Sequence, residues 1–355
     1  MKPFTFDARL PRVLFGEGAL AQLADEAARL GARRVIVLCT PQQTDQADHV
    51  RTLLGTYAVA TFDRAVMHVP VATVAEAHAA ARQGEVDLAV AIGGGSTIGL
   101  AKALALLHDL PYIAVPTTYA GSEMTPIYGL TEQGLKRTGS DPKVAARVVV
   151  YDPLLSRRLP IGLTVTSGIN AIAHAIEGMY SPDANPVIGL MAEEGVRAMA
   201  AAIDGLVAAP TDAGLRSQAL YGAWLCGTVL GNSGMGLHHK LCHTLGGSFD
   251  LPHAEVHTVV LPHAVAYNAP AIPDVMARVH RALGGVAGAT VPRRLFDLAR
   301  RGGARMSLRD LGMRASDLDR ATDIALQQRY PNPRPLERVA IRELLQHAFE
   351  GNAPS

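Results

Sequence analysis

Short runs of apolar residues recur through the first 150 residues of the chain. Three of them, Val35–Leu38, Leu88–Ile92 and Ile113–Val115, are almost entirely aliphatic, which is typical of strands buried on both faces. Between them, apolar positions recur with helical spacing in three segments: Ala19–Leu30, Gln46–Leu54 and Thr73–Gln83. Strands that alternate with helices predict a parallel sheet covered by helices on both faces.

The pattern changes after Asp152-Pro153, where strand-like runs nearly vanish and helical periodicity takes over. Ser316 is a candidate N-cap for one of the last helices. We predict an α/β domain over residues 1–156 and an all-helical domain over residues 157–355. The predicted helices of the second domain are Val165–Met179, Val187–Ala208, Asp212–Leu230, Leu237–Ser248, Ala254–Asn268, Pro273–Leu283, Pro292–Arg301, Ser316–Arg329 and Leu336–Phe349.

Charge and composition exclude several classes of partner. The formal net charge is +1, so we expect no nucleic-acid partner held by phosphate neutralisation. The sequence predicts neither a signal peptide nor a transmembrane segment, and therefore no membrane partner. Three widely separated cysteines, Cys39, Cys226 and Cys242, argue against structural disulfides and fit a reducing cytoplasm.

A glycine-rich turn, Gly93-Gly94-Gly95-Ser96, joins the second aliphatic run to a helical stretch. Such a turn exposes backbone N–H groups and the positive end of a helix dipole, which suits a dinucleotide pyrophosphate. Tight packing is the alternative interpretation, since the spacing is not G-x-G-x-x-G. A hydroxyl-rich loop follows the third run, and it either contacts the cofactor or satisfies its own backbone. The candidate cofactor-binding residues are Gly94, Gly95, Ser96, Thr117, Thr118 and Ser122.

Histidines concentrate in the helical half. His239 and His243 are four residues apart, as are Asn170 and His174, so each pair shares one helix face. Polar pairs on apolar helices cost desolvation unless something satisfies them, so they indicate a site in which His253 also takes part. The alternative is a set of satisfied core histidines. For His257 and His263 we expect a solvent-facing or structural role.

These motifs together resemble the iron-containing alcohol dehydrogenase superfamily, and within it the maleylacetate reductase branch. The resemblance covers nearly the whole chain and also includes Phe15-Gly16, Asp152-Pro153 and Asn170–Glu177. It implies a Rossmann-like dinucleotide-binding domain followed by an all-helical domain, with the active site in the cleft between them. It also implies a homodimer.

The resemblance implies a degenerate metal site. Members of the superfamily bind iron through an aspartate, a histidine four residues later and two histidines fourteen residues apart. This sequence has Asn170, His174, His239 and His253 at those positions, and Gly99 where metal-dependent relatives have aspartate. A neutral amide is a poor substitute for a carboxylate on a hard cation. We therefore expect no metal requirement, as is described for the maleylacetate reductase branch.

The implied reaction is the NADH- or NADPH-dependent reduction of the conjugated C=C of maleylacetate to 3-oxoadipate, in the degradation of aromatic compounds. The enone withdraws electrons by itself, so imidazoles can hydrogen-bond the enolate and deliver the proton. His243 and His253 are the candidates for these catalytic roles, with His239 and His174 assisting. Asn170, Lys240 and His238 are candidates for contacts to the dicarboxylate substrate.

Two further residues bear on the cofactor. Lys136 matches a lysine that contacts the dinucleotide in relatives, although a solvated loop lysine is an equal alternative. NAD-specific relatives carry an acidic residue after the first aliphatic run, where this chain has Thr40 and no acid before Asp45. We therefore expect both NADH and NADPH to be used.

Two rival functions remain open at this stage. A metal-dependent alcohol dehydrogenase acting on a small alcohol or aldehyde would share the architecture, but Asn170 and Gly99 argue against it. A non-catalytic dinucleotide-binding or scaffold protein would bind NADH without consuming any enone. That reading requires the whole set of motifs to be idle.

Overall fold

The structure, a computed structural model, describes residues 3–8, 10–132 and 135–354, without the side chains of Leu135 and Lys136. Its residues divide into two compact units. The α/β unit comprises the described residues within Arg9–Leu159. The helical unit comprises those within Met1–Ala8 and Pro160–Ser355.

A six-stranded parallel sheet forms the centre of the α/β unit, with strand order β1-β8-β5-β4-β2-β3. A two-stranded antiparallel hairpin, β6-β7, lies outside this sheet. All four inner strands are buried at every position, which explains why their sequences are continuously apolar. The strands are β1 Arg12–Phe15, β2 Val35–Leu38, β3 Ala58–Phe62, β4 Leu88–Gly93, β5 Tyr112–Pro116, β6 Ile127–Glu132, β7 Leu135–Ser140 and β8 Val148–Tyr151.

The α/β unit contains five helices: α1 Leu23–Arg29, α2 Thr44–Leu54, α3 Val71–Gln83, α4 Gly95–His108 and α5 Pro153–Ser156. The helical unit contains nine among its described residues: α6 Ile161–Tyr180, α7 Pro186–Ala208, α8 Ala213–Asn232, α9 Leu237–Phe249, α10 His253–Asn268, α11 Pro273–Ala282, α12 Val291–Arg301, α13 Leu318–Leu326 and α14 Arg338–Glu350. These elements confirm the predicted fold class, an α/β domain plus an all-helical domain. Within the described part of the chain, no helix is both long and apolar enough to span a bilayer.

One predicted helix start is wrong. Ser316 is not an N-cap, because it lies inside a short 3-10 helix, Ala315–Asp317, that precedes α13. Asp317 occupies the cap position, and its side chain makes no capping hydrogen bond. Helix α13 therefore begins two residues after Ser316 and ends three before Arg329.

Helix α6 lies at the centre of the helical unit and packs against α7, α8 and α10. Residues 164–179 of this helix are all buried, so it has no solvent-facing stripe. Polar side chains on such a helix must be satisfied by neighbouring helices or by a ligand. Helix α6 is therefore where functional polar groups of this unit should be sought.

Gly178, near the end of α6, permits the close approach of α8. A Cβ atom at this position would lie 2.1 Å from Val229 Cγ1. We expect Gly178→Ala to lower the free energy of unfolding by about 1–3 kcal/mol through overpacking. Gly162→Ala is the matched control on the same helix, since a Cβ there would meet nothing within 4 Å. Urea unfolding of both variants checks this, and equal stabilities would contradict the packing.

Candidate active site

Three helices of the helical unit bring six histidines together. Helix α6 carries His174, α9 carries His238, His239 and His243, and α10 carries His253 and His257. Ring centroids of neighbouring members lie 4.4 to 6.4 Å apart. We call these six residues the histidine cluster. Every histidine that the sequence analysis placed in the catalytic set belongs to it.

The cluster has a buried side and an accessible side. His174, His238, His239 and His257 are buried, whereas His253 is partly exposed and His243 is exposed. The rings of His243 and His253 stack at 6.4 Å between centroids, with an interplanar angle of 13°. These two imidazoles are therefore the members that can exchange protons with solvent.

Sequence reasoning underestimated His257. It is fully buried, and His263 is buried as well, so the solvent-facing alternative is wrong for both and the structural alternative is left. The Nδ1 atom of His257 lies 2.9 Å from His238 Nε2, and its ring centroid lies 4.4 Å from that of His253. His257 thus joins His238, a substrate candidate, to the accessible side of the cluster.

Burial keeps much of the cluster neutral. Desolvation, followed by the charges of neighbouring imidazoles, lowers the pKa of His174 and that of His257 well below the usual range. Desolvation likewise lowers the pKa of His238 to about 3. These three rings act as hydrogen-bonding groups at neutral pH.

Sequence reasoning passed over a buried carboxylate beside the cluster. Glu177, on α6, lies one turn after His174, and its Oε2 is 2.6 Å from His239 Nδ1. Burial alone would raise the pKa of Glu177, but hydrogen bonds from the His239 ring and from backbone N–H donors lower it to about 2. The side chain is therefore an ionised carboxylate at neutral pH.

Three buried polar atoms on α6 and α9 have no hydrogen-bond partner among the described residues: Asn170 Oδ1, His174 Nδ1 and His239 Nε2. Buried polar groups in native proteins are nearly always paired, and leaving one unpaired costs about 1–3 kcal/mol. The three side chains come from the positions that the sequence analysis assigned to one site. A polar ligand would satisfy them.

The remaining substrate candidate, Lys240, is partly exposed on α9. A cavity of about 230 Å³, lined by Tyr180, Pro331 and Asn332 among others, adjoins Glu177 and includes no imidazole.

In the α/β unit, the glycine-rich turn lies between β4 and α4, as the sequence predicts. Helix α4 begins at Gly95 without a side-chain N-cap, so its first N–H groups are available to a ligand. A Cβ at Gly95 would meet nothing within 4 Å, whereas one at Gly94 would touch Thr118 at 3.0 Å. Open space above uncapped N–H groups at a helix N-terminus fits a pyrophosphate.

Side chains at the carboxyl ends of the inner strands are linked to this turn. Gln43 Nε2 donates to Thr117 Oγ1 at 2.9 Å, and Thr40 Oγ1 donates to Gln43 Oε1 at 3.2 Å. Ser122 begins a 3-10 helix after β5, and Ser96 is in the first turn of α4. The predicted cofactor residues other than Lys136, whose side chain lies outside the described residues, thus cluster at one edge of the sheet.

Comparison with known proteins decides the family. The family model described as "Iron-containing alcohol dehydrogenase" matches residues 11–153. The family model described as "Fe-containing alcohol dehydrogenase family, C-terminal" matches residues 164–349. The chain belongs to the iron-containing alcohol dehydrogenase family. It is therefore an oxidoreductase.

Individual members of the iron-containing alcohol dehydrogenase family resemble the chain over its full length. A maleylacetate reductase from Burkholderia cepacia is 57% identical, and the match covers 100% of both chains. The crystal structure of a maleylacetate reductase from Agrobacterium tumefaciens superposes with a TM-score of 0.95 at 50% identity, again over 100% of both chains. The crystal structure of a maleylacetate reductase from a Rhizobium species superposes with a TM-score of 0.94 at 49% identity, over 100% of both chains.

The family name implies iron, and the donor atoms of this chain do not fit it. Among the described residues, the one group of three His, Cys, Asp or Glu side chains with converging ligand atoms is His238, Cys242 and His257. His174, His239 and His253 form no such group, and the position for a carboxylate ligand holds the neutral Asn170. Two of the three converging side chains already bond to each other at 2.9 Å. No mechanistic step is therefore assigned to a metal.

Gly99 marks a second departure from metal-dependent members of the family, and packing explains it. A Cβ at Gly99, on α4, would lie 2.8 Å from Val69 Cγ2. An aspartate at this position would therefore collide with the segment before α3. The Val69 side chain occupies the space that a larger residue would need.

Proposed function

We propose that the protein reduces the conjugated C=C of maleylacetate to 3-oxoadipate with NADH or NADPH. The observation that carries the proposal is the histidine cluster, in which buried, unsatisfied polar atoms lie beside two accessible imidazoles. Full-length relatives that are maleylacetate reductases support the same substrate. The product enters the degradation of aromatic compounds.

The reaction divides between hydride addition and protonation. When bound, the nicotinamide supplies a hydride to the carbon β to the ketone. His174 and His239, with Asn170, orient the substrate from the buried side of the site, where their polar atoms are unsatisfied. Because its carboxylate and ketone oxygens only accept hydrogen bonds, ring or amide N–H groups are the donors to it. His243 and His253 hydrogen-bond the enolate oxygen and deliver a proton to the carbon α to the ketone, because they are the accessible imidazoles. Lys240 and His238 contact the carboxylates of the substrate and so favour its binding.

We assign the cofactor requirement as NADH or NADPH and no metal. The segment after β2 carries Thr40 and Gln43 but no acidic side chain to repel a 2′-phosphate. The enone replaces the cation as electron sink, and imidazole N–H groups stabilise the enolate.

We further place the protein in the cytoplasm as a homodimer, with neither nucleic acid nor membrane as a partner. A formal charge of +1 supports the absence of a nucleic-acid partner, and three free cysteines support the cytoplasm. The homodimer follows from the family resemblance alone.

Product identification tests the proposal. Purified protein with NADH and maleylacetate should consume one NADH per 3-oxoadipate formed, and NADPH should support the same reaction. Oxidation of a small alcohol with NAD⁺, without reduction of the enone, would favour the metal-dependent alcohol dehydrogenase. NADH binding without turnover of any enone or carbonyl would favour the scaffold protein.

A further inference from the structure

Glu177 is the most heavily hydrogen-bonded polar side chain near the cluster, and the proposed chemistry gives it no role. It is 1% exposed and accepts backbone N–H donors from Gly236 at 3.0 Å, His238 at 2.9 Å and His239 at 3.2 Å. These donors are the first N–H groups of α9, which has no cap from its own side chains. Glu177 therefore caps the helix that carries three cluster histidines.

The same carboxylate also holds one imidazole. Its Oε2 accepts from His239 Nδ1 at 2.6 Å, while Oε1 accepts from Tyr180 Oη at 2.9 Å. A carboxylate accepts but never donates, so the bond requires the His239 proton to be on Nδ1. His239 Nε2, the other ring nitrogen, is buried without a partner among the described residues.

We propose that Glu177 is a positioning residue that fixes the orientation and tautomer of His239, so that Nε2 is the nitrogen presented to the substrate. A ring free to rotate would present either nitrogen, and a ring with its proton on Nε2 would present a different hydrogen-bonding group. Carboxylates that orient an imidazole in this way are common beside reactive histidines. This inference rests on the proposed function only where turnover is measured.

The connection between α6 and α9 makes the positioning rigid. His174 lies one turn before Glu177 on α6, and its ring centroid is 5.0 Å from that of His239. One helix therefore supplies Asn170, His174 and the carboxylate that aligns His239. The helix places Asn170 and His174, and Glu177 aligns His239 with them.

Two variants separate positioning from general support. Glu177→Gln places an amide NH₂ among N–H and O–H donors in either orientation, so it disrupts the bond to His239 Nδ1 or the bonds at Oε1. We expect kcat for maleylacetate to fall about 10- to 100-fold, with KM changed less than about threefold. Tyr180→Phe is the matched control, because it removes one bond to Oε1 and leaves His239 paired. It should keep kcat within about twofold.

A ¹⁵N NMR spectrum of histidine-labelled protein supplies a readout that does not depend on turnover. His239, assigned by comparison with His239→Gln, should carry a proton on Nδ1 in the wild type and in Tyr180→Phe. An unprotonated Nδ1 in the wild type would overturn the proposal, whether or not Glu177→Gln folds. So would a Glu177→Gln protein whose spectrum shows that the Nδ1 proton of His239 is lost while kcat is unchanged, or an equal loss of kcat in Tyr180→Phe. If the wild type fails to reduce maleylacetate, the proposed function fails while the NMR result still reports the pairing.

Discussion

Replacing His253 by alanine should lower kcat/KM for maleylacetate by about 100- to 10,000-fold, the usual contribution of a general acid. His253 and His243 are the accessible members of the cluster, and their rings stack 6.4 Å apart. Removing the residue that delivers the proton should slow the step after hydride addition, whereas a residue that only binds the enolate should cost less. The same measurement on His243→Ala therefore assigns the two roles.

The control for these variants is His347→Ala. His347 is exposed on α14 and belongs to no part of the proposed site. Its removal should leave kcat/KM within about twofold. If both His253→Ala and His243→Ala retained wild-type turnover and wild-type stability, neither imidazole would be the proton donor.

The second large effect is expected at the glycine-rich turn. Gly93 has φ of +155°, and a Cβ there would lie 2.4 Å from Thr97 Oγ1 and 2.7 Å from Gln43 Oε1. An alanine here would strain the backbone and overpack the turn, and each effect costs about 1–3 kcal/mol. The turn can relieve this strain only by moving away from the position that fits the pyrophosphate. A loss of about 3 kcal/mol corresponds to a dissociation constant for NADH raised about 100-fold. Fluorescence titration of the Gly93→Ala variant with NADH measures this dissociation constant.

Gly31→Ala separates this effect from general strain in the α/β unit. Gly31 also has a positive φ, +74°, but a Cβ there would meet nothing within 4 Å. It should lower stability without changing the affinity for NADH. Equal NADH affinities of Gly93→Ala and wild type would show that the turn does not bind the dinucleotide.

The sequence predicted three of the four strands whose burial is complete, and the fourth, β8, was not singled out. Val35–Leu38 and the runs at β4 and β5 are central, so each is apolar at every position. Edge strand β3 was not singled out, because four of its five residues are partly or fully exposed and its pattern resembles a loop. The hairpin β6-β7 was missed for the same reason, since no position of β6 is buried.

The candidate site was predictable where spacing on one helix defined it. Asn170 and His174 share a face of α6 because they are four residues apart. Glu177 could not be assigned from spacing, since its partners at the start of α9 lie 59 to 62 residues away in sequence. His257 belongs to a helix buried nearly all round, so no polar stripe distinguished its position. The roles of both residues depend on contacts between helices that the sequence does not reveal.

In the proposed reaction, imidazole N–H groups stabilise the enolate in place of a metal cation. The direct measurement is NADH oxidation with maleylacetate by protein that has been treated with chelator and analysed for metals. We predict full turnover at less than about 0.1 equivalent of iron or zinc per chain, with no gain on adding Fe²⁺ or Zn²⁺. Loss of activity on chelation, restored by either ion, would contradict the account.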